Sequence, residues 1–99
     1  MNLENVHNVY FLGIGGIGMS ALARWFNHLG ISVSGYDKTQ SQLTRELELE
    51  GIKICYDDSP ELIASRPDLV VITPAIPSNH RGRIWLEEQG IPFMKRAQV

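Results

Sequence analysis

An unbroken apolar run, Val9-Tyr10-Phe11-Leu12, ends in Gly13-Ile14-Gly15-Gly16-Ile17-Gly18, and the chain reopens at once as an amphipathic helix. Such a junction restricts the fold more than any other feature of the sequence. A continuous apolar run suits a strand covered on both faces, and this one is predicted over residues 6–12. The next apolar residues, Ala21, Leu22, Trp25, Phe26 and Leu29, recur at spacings of three and four, so residues 18–29 are expected to form a helix stopped by Gly30. The pattern then repeats. Strands are predicted at 31–36, 52–56, 68–73 and 91–94. Helices are predicted at 40–50 (ended by Gly51), from the Ser59-Pro60-Glu61 start to about Ser65, and from a Ser78 or Asn79 cap to Gln89, with Ile84, Trp85 and Leu86 inward. Strict strand–helix alternation implies right-handed crossovers and an α/β fold: a five-stranded parallel sheet with helices on both faces.

Chemistry concentrates at the junction. G-x-G-x-x-G after a strand and before a helix is the context a Rossmann-like phosphate loop requires. Gly13 allows the tight exit from the strand, Gly15 leaves room for a phosphate to approach the backbone, and Gly18 lets the helix pack close. The helix start brings unpaired N–H groups and about half a positive charge, so a diphosphate is the natural ligand. The same glycines also suit a turn needed only for packing. Asp37 follows the second strand, 19 residues after Gly18, where an acidic residue accepts from ribose hydroxyls; it also suits a solvated turn. Thr73-Pro74-Ala75-Ile76 lies at the carboxyl end of the fourth strand, where open parallel sheets bind ligands. Its amides and the Thr73 hydroxyl can face a base edge, or the segment can be simply a rigid proline loop.

The remaining composition removes other classes. Nine basic and eleven acidic residues among 99 give a net charge of −2, which excludes a basic nucleic-acid module. No apolar run approaches a membrane span, and Met1 to Asn5 lack a secretion signal, so no membrane partner and a cytoplasmic location are expected. Cys55 is the single cysteine, so no internal disulfide forms, and its strand position suggests a buried, inert thiol. His7, His28 and His80 lack metal-ligand spacing and are expected to be solvated; no metal site is predicted. Trp25 and Trp85 are expected in the core and Asp57-Asp58 in a solvated loop; Lys95 and Arg96 suit a solvated end, and also a contact with a phosphate. There is no G-x-x-x-x-G-K-[ST] loop for ATP. The ending Lys95-Arg96-Ala97-Gln98-Val99 carries no helix stop, which suggests one domain of a longer chain.

Four segments in register carry a family resemblance. Phe11-Leu12-Gly13-Ile14-Gly15-Gly16-Ile17-Gly18-Met19-Ser20 resembles the start of the Mur ligases. Val33-Ser34-Gly35-Tyr36-Asp37 resembles their Val-Ser-Gly-Ser-Asp segment, and residues 68–76 their Asp-Val-Val-Val-x-Ser-Ser-Ala-Ile. Gly90-Ile91-Pro92 with Lys95-Arg96-Ala97 resembles Gly-Ile-Pro-Val-x-x-Arg-Ala-Glu. The resemblance covers essentially the whole chain and is greatest to members that join L-alanine to UDP-N-acetylmuramate in peptidoglycan biosynthesis. It implies three domains: a first for the UDP part of the sugar nucleotide, a second for ATP and Mg2+, and a third for the amino acid. The lactyl carboxylate is activated as an acyl phosphate and attacked by the amine. Residues 1–99 correspond to the first domain, with no catalytic residue or cofactor of its own. By the resemblance, Gly15, Gly16, Ile17 and Gly18 would cradle the UDP diphosphate, and Gly13 and Met19 would also bind UDP. Asp37 and Thr73, Pro74, Ala75 and Ile76 would hold the uridine. Four positions depart from the family pattern: Tyr36 for serine, Tyr56-Asp57 for Gly-His, and Gln98 for glutamate. The alternatives are a ligase that reattaches a recycled tripeptide to the same sugar nucleotide, the NAD-binding half of a dehydrogenase, and a non-enzymatic nucleotide sensor.

Overall fold

A computed structural model describes residues 4–63 and 65–99. Five strands, β1 (Asn8–Leu12), β2 (Ser32–Tyr36), β3 (Lys53–Cys55), β4 (Leu69–Ile72) and β5 (Phe93–Lys95), form one sheet in the order β3-β2-β1-β4-β5. Every pairing is parallel. The helices are α1 (Ile17–His28), α2 (Gln42–Leu49) and α3 (Arg81–Glu88), with single 3₁₀ turns at Pro60–Leu62 and Arg96–Gln98. From β1 the chain builds outward through β2 and β3, then returns to lay β4 on the other side of β1. The connections therefore part company above β1 and β4, which leaves a crevice at the carboxyl ends of these two strands.

Side chains alternate across β1, so one strand feeds two cores. Val9 and Phe11 join Val33, Leu69 and Val71 under α1 and α2, which contribute Met19, Ala23, Phe26 and Leu47. Tyr10 and Leu12 join Val70 and Ile76 under α3, which contributes Leu86. Gly35, level with Phe11 in the ladder, keeps the first core tight. A Cβ there would stand 2.7 Å from the Phe11 carbonyl oxygen and 2.9 Å from Ile14 Cδ1.

The local starts and stops follow side-chain chemistry. Ser41 caps α2 in a reciprocal box: its hydroxyl accepts from Thr44 N–H at 3.2 Å while Thr44 Oγ1 accepts from Ser41 N–H at 2.8 Å. Five expectations are corrected. The predicted third helix is one 3₁₀ turn, because Ile63 turns extended at once (φ −85°, ψ 106°); Ala64, within its expected span, lies outside the described residues. The cap of α3 is neither Ser78 nor Asn79. Pro77 to His80 close a turn of their own, His80 N–H donating to the Pro77 carbonyl at 3.1 Å. The helix begins one residue later, with His80 Nδ1 accepting from Arg83 N–H at 3.1 Å. His80 is thus buried rather than solvated, its ring edge-on to Tyr36 at 4.4 Å. Trp25 is 49% exposed, since the helical turn that buries Phe26 swings its neighbour to the rim, and Ile84 is 39% exposed.

Two outcomes follow from this packing. Gly35→Val forces a side chain against the β1 backbone and is expected to cost about 1–3 kcal/mol in urea unfolding. Burial holds the His80 imidazole below its ordinary 6.5; Asp58 pulls the other way, and Arg83 and Arg81 add to the lowering. The unfolded chain therefore takes up this proton at higher pH than the folded one. The cap's stability is present above 6.5 and is lost as pH falls through the folded-state value. Urea unfolding between about pH 8 and 5 should show that decline, and His80→Asn, which caps without titrating, should flatten it.

Candidate functional site

The exit from β1 is tied down before it reaches the helix. Gly13 and Ile14 N–H both donate to the Tyr36 carbonyl, at 2.8 and 3.0 Å, which anchors the turn to the end of β2. Gly13 sits at φ +94°, and a Cβ on it would overlap the Thr73 methyl. Gly15 N–H donates to Asp37 Oδ2 at 2.7 Å, and Gly16 N–H makes a long 3.5 Å bond to the Gly13 carbonyl. Ser20 N–H makes the first helical bond, to Gly16 O at 2.8 Å. No side chain caps α1, and no acidic residue occupies its first turn. By helix geometry Ile17, Gly18 and Met19 then have N–H groups with no acceptor along the helix.

These contacts revise the roles given to the glycines. The free donors lie on the first turn of α1 and not on the bend from Gly13 to Gly16, whose amides are engaged. The space beside Gly15 holds Asp37, whose Oδ2 is 2.6 Å from where a Cβ would be. The space beside Gly18 holds Arg96, with Nε 2.7 Å from that point, so the close packing is against a guanidinium and not the sheet. Of the four glycines in the turn, Gly16 has the most room, its nearest foreign atom at 3.9 Å.

Asp37 braces the turn with one oxygen and accepts from Thr39 N–H at 3.0 Å with the other. Each oxygen keeps a lone pair, so acceptance from a ribose hydroxyl is compatible with this bracing. The loop after β4 is likewise self-bonded. Thr73 N–H reaches Leu12 O, Ala75 N–H reaches Thr73 Oγ1 at 3.2 Å, and Ile76 N–H reaches Thr73 O. Its amides are therefore not open to a base edge, contrary to expectation. The loop instead brings the Thr73 O–H and the apolar flank of Ile76.

Two adjoining cavities fill the crevice and share Gly16, Met19 and Thr73. One, of about 290 Å³, is lined also by Gly13, Tyr36, Asp37, Lys38, Ala75, Ile76 and Pro77. The other, of about 360 Å³, adds Gly18, Ile72, Pro74, Lys95, Arg96 and Ala97. The first is a mostly apolar slot with one carboxylate, Asp37, and one cation, Lys38; the second, also mostly apolar, is lined by two cations and no carboxylate. Nine of the eleven expected site residues line one or the other. The exceptions are Gly15, behind Asp37, and Ile17, whose side chain is 86% exposed. The expected site did not include Tyr36, Lys38, Ile72, Pro77, Lys95, Arg96 and Ala97. The family resemblance marked Tyr36, as a departure from serine, and Lys95-Arg96-Ala97, in its last segment; the charges of Lys95 and Arg96 also marked them as candidates for a phosphate.

Other groups stay apart. Cys55 Sγ lies 3.2 Å from Tyr10 Oη, and burial pushes both groups' pKa up, so the thiol is protonated at neutral pH as an inert cysteine should be. Tyr56 Oη donates to Glu48 at 2.9 Å, and Gln98 Oε1 accepts from Lys95 N–H at 2.8 Å. Among the described residues no cluster of His, Cys, Asp or Glu could hold a metal ion, and no helix is long and apolar enough to cross a membrane.

A parallel sheet with an uncapped helix start at its strand-order reversal defines a Rossmann-like α/β domain. The family model described as "Mur ligase family, catalytic domain" matches residues 8–99, and the chain belongs to that family. It is 52% identical to the UDP-N-acetylmuramate–L-alanine ligase of Flavobacterium psychrophilum, with all of this chain and 23% of that protein covered. It is 50% identical to the ligase of the same name from Cytophaga hutchinsonii, with all of this chain and 22% of that protein covered. Among solved structures it resembles the UDP-N-acetylmuramate–alanine ligase of Thermotoga maritima with a TM-score of 0.86 and 32% identity, over 92% of this chain and 21% of that one. The chain thus spans less than a quarter of the length of the curated relatives it matches.

The glycines should separate by role. Gly13→Ala strains a left-handed position and displaces Thr73, with an expected cost of about 1–3 kcal/mol in urea unfolding. Gly16→Ala, in open space, should cost about 1 kcal/mol or less, the difference between glycine and alanine at an N-cap.

Proposed function

We propose that this chain is the sugar-nucleotide-holding domain of an ATP-dependent ligase that joins L-alanine to UDP-N-acetylmuramate. The observation that carries this is the first turn of α1. Three N–H groups without helical acceptors open onto a crevice between an apolar slot and a cationic one. The N-terminal end of the helix dipole and these donors favour a diphosphate, while the slot beside Tyr36, Asp37 and Ile76 suits a flat base and its ribose. Names borne by relatives at 50–52% identity favour L-alanine over a recycled tripeptide as the acceptor.

Within such an enzyme this chain contributes position. Its amides offset diphosphate charge, and a nucleotide held at both base and diphosphate presents its remaining end in one direction. ATP and Mg2+ belong to the proposed longer enzyme. The chain's own residues do not suit them: it has no Lys-bearing phosphate loop, and the described residues offer no metal cluster. Alone it should hold substrate without turning it over. A dehydrogenase half would share the glycine turn but not the four family segments.

Calorimetric titration with UDP-N-acetylmuramate and, separately, NAD tests this directly. Saturable heat with the UDP-sugar and none with NAD is the expected result; the reverse pattern rejects the proposal. Gly16→Ala, which adds a methyl at the mouth while nearly preserving stability, should weaken UDP-sugar binding by roughly tenfold, the loss of one charge-assisted contact.

A further inference from the structure

Arg96 stands where its charge is hard to explain in isolation. Its Nε, Cζ and Cδ lie 2.7, 2.8 and 3.0 Å from the point a Gly18 Cβ would occupy, so the guanidinium rests directly on the first turn of α1. That turn is the electropositive end of the helix and contains no acidic residue. Among the described residues no carboxylate or other acceptor meets the guanidinium. The cavity it lines contains a second cation, Lys95, and no acid. An exposed arginine free to move would turn its charge away from positive neighbours and into solvent. Instead the 3₁₀ turn Arg96–Gln98, closed by Gln98 Oε1 on Lys95 N–H, sets it over the one residue of the turn that lacks a side chain.

We propose that Arg96 is a diphosphate-binding residue, and that Gly18 is glycine in order to seat its guanidinium beside the anion held on the α1 amides. The inference rests on the reading that this turn holds a nucleoside diphosphate, and it names the side chain that reads the charge. The amides bind from the helix end and the planar fork of Arg96 from the side, which neutralises the positive charges that crowd each other in the free protein. The third glycine of the motif thus acts here as one half of a Gly18–Arg96 pair 78 residues apart in sequence.

The test is calorimetry on the 99-residue chain with UDP, using R96Q, R96K and G18A, with thermal melting of each variant. R96Q is expected to melt like the unchanged chain and to bind UDP roughly 10- to 100-fold more weakly, the loss of a hydrogen bond to a charged group. R96K should recover part of that loss, because it restores charge without the fork. G18A improves helix propensity, so it should melt no lower than the unchanged chain, yet lose UDP affinity by pushing the guanidinium aside. If R96Q binds UDP within about twofold of the unchanged chain, Arg96 merely packs on Gly18 and the inference fails, while the glycine-turn reading stands. If the unchanged chain binds neither UDP nor UDP-N-acetylmuramate, the glycine-turn reading fails and takes this inference with it.

Discussion

The Tyr36 carbonyl accepts from both Gly13 and Ile14, and the rest of the site is built on that pair of bonds. They pull the exit of β1 against the end of β2, place Asp37 opposite Gly15, and start α1 at a fixed distance above the sheet. With the bend internally satisfied, the amides left over belong to the helix. Helix amides point along one axis, so they converge on a single point in the crevice instead of fanning out as the donors of a loose loop would. The Thr73 methyl closes the opposite wall, in the space that a side chain on Gly13 would need.

Charge is distributed with the same economy. The chain as a whole is slightly acidic, yet the crevice between Gly18 and Lys95 collects two cations around a helix start. Asp37 is the one carboxylate lining the two cavities; it stands on the apolar side, each oxygen accepting one amide, from Gly15 or Thr39. An anion entering the cationic side therefore meets no exposed acid. The apolar side has a preformed wall, the Tyr36 ring lying edge-on to a buried His80 that a helix cap holds in place.

Where sequence and structure part, the cause is tertiary in each case. Trp25 shares a helix stripe with Phe26, but a small domain has core for one of two adjacent aromatics, and the larger stays half out. His80 carries no metal-ligand pattern, yet the Pro77 turn carries it inward to serve as a cap. Residues Thr73 to Ile76 were legible as a loop at a ligand-binding end. That the loop spends its amides on itself depends on Thr73 being gripped by Leu12 across the sheet.

The alternation of apolar runs with helical stripes determined the parallel sheet, its element order and the position of the glycine turn. Those are properties of neighbouring residues, set by period and by which backbone conformations glycine permits. Which amides remain free, what fills the space beside each glycine, and that Arg96 lies over Gly18 were decided only when strands far apart in sequence were brought side by side. Those facts depend on distances of a few ångströms across the fold, and a linear pattern does not encode them.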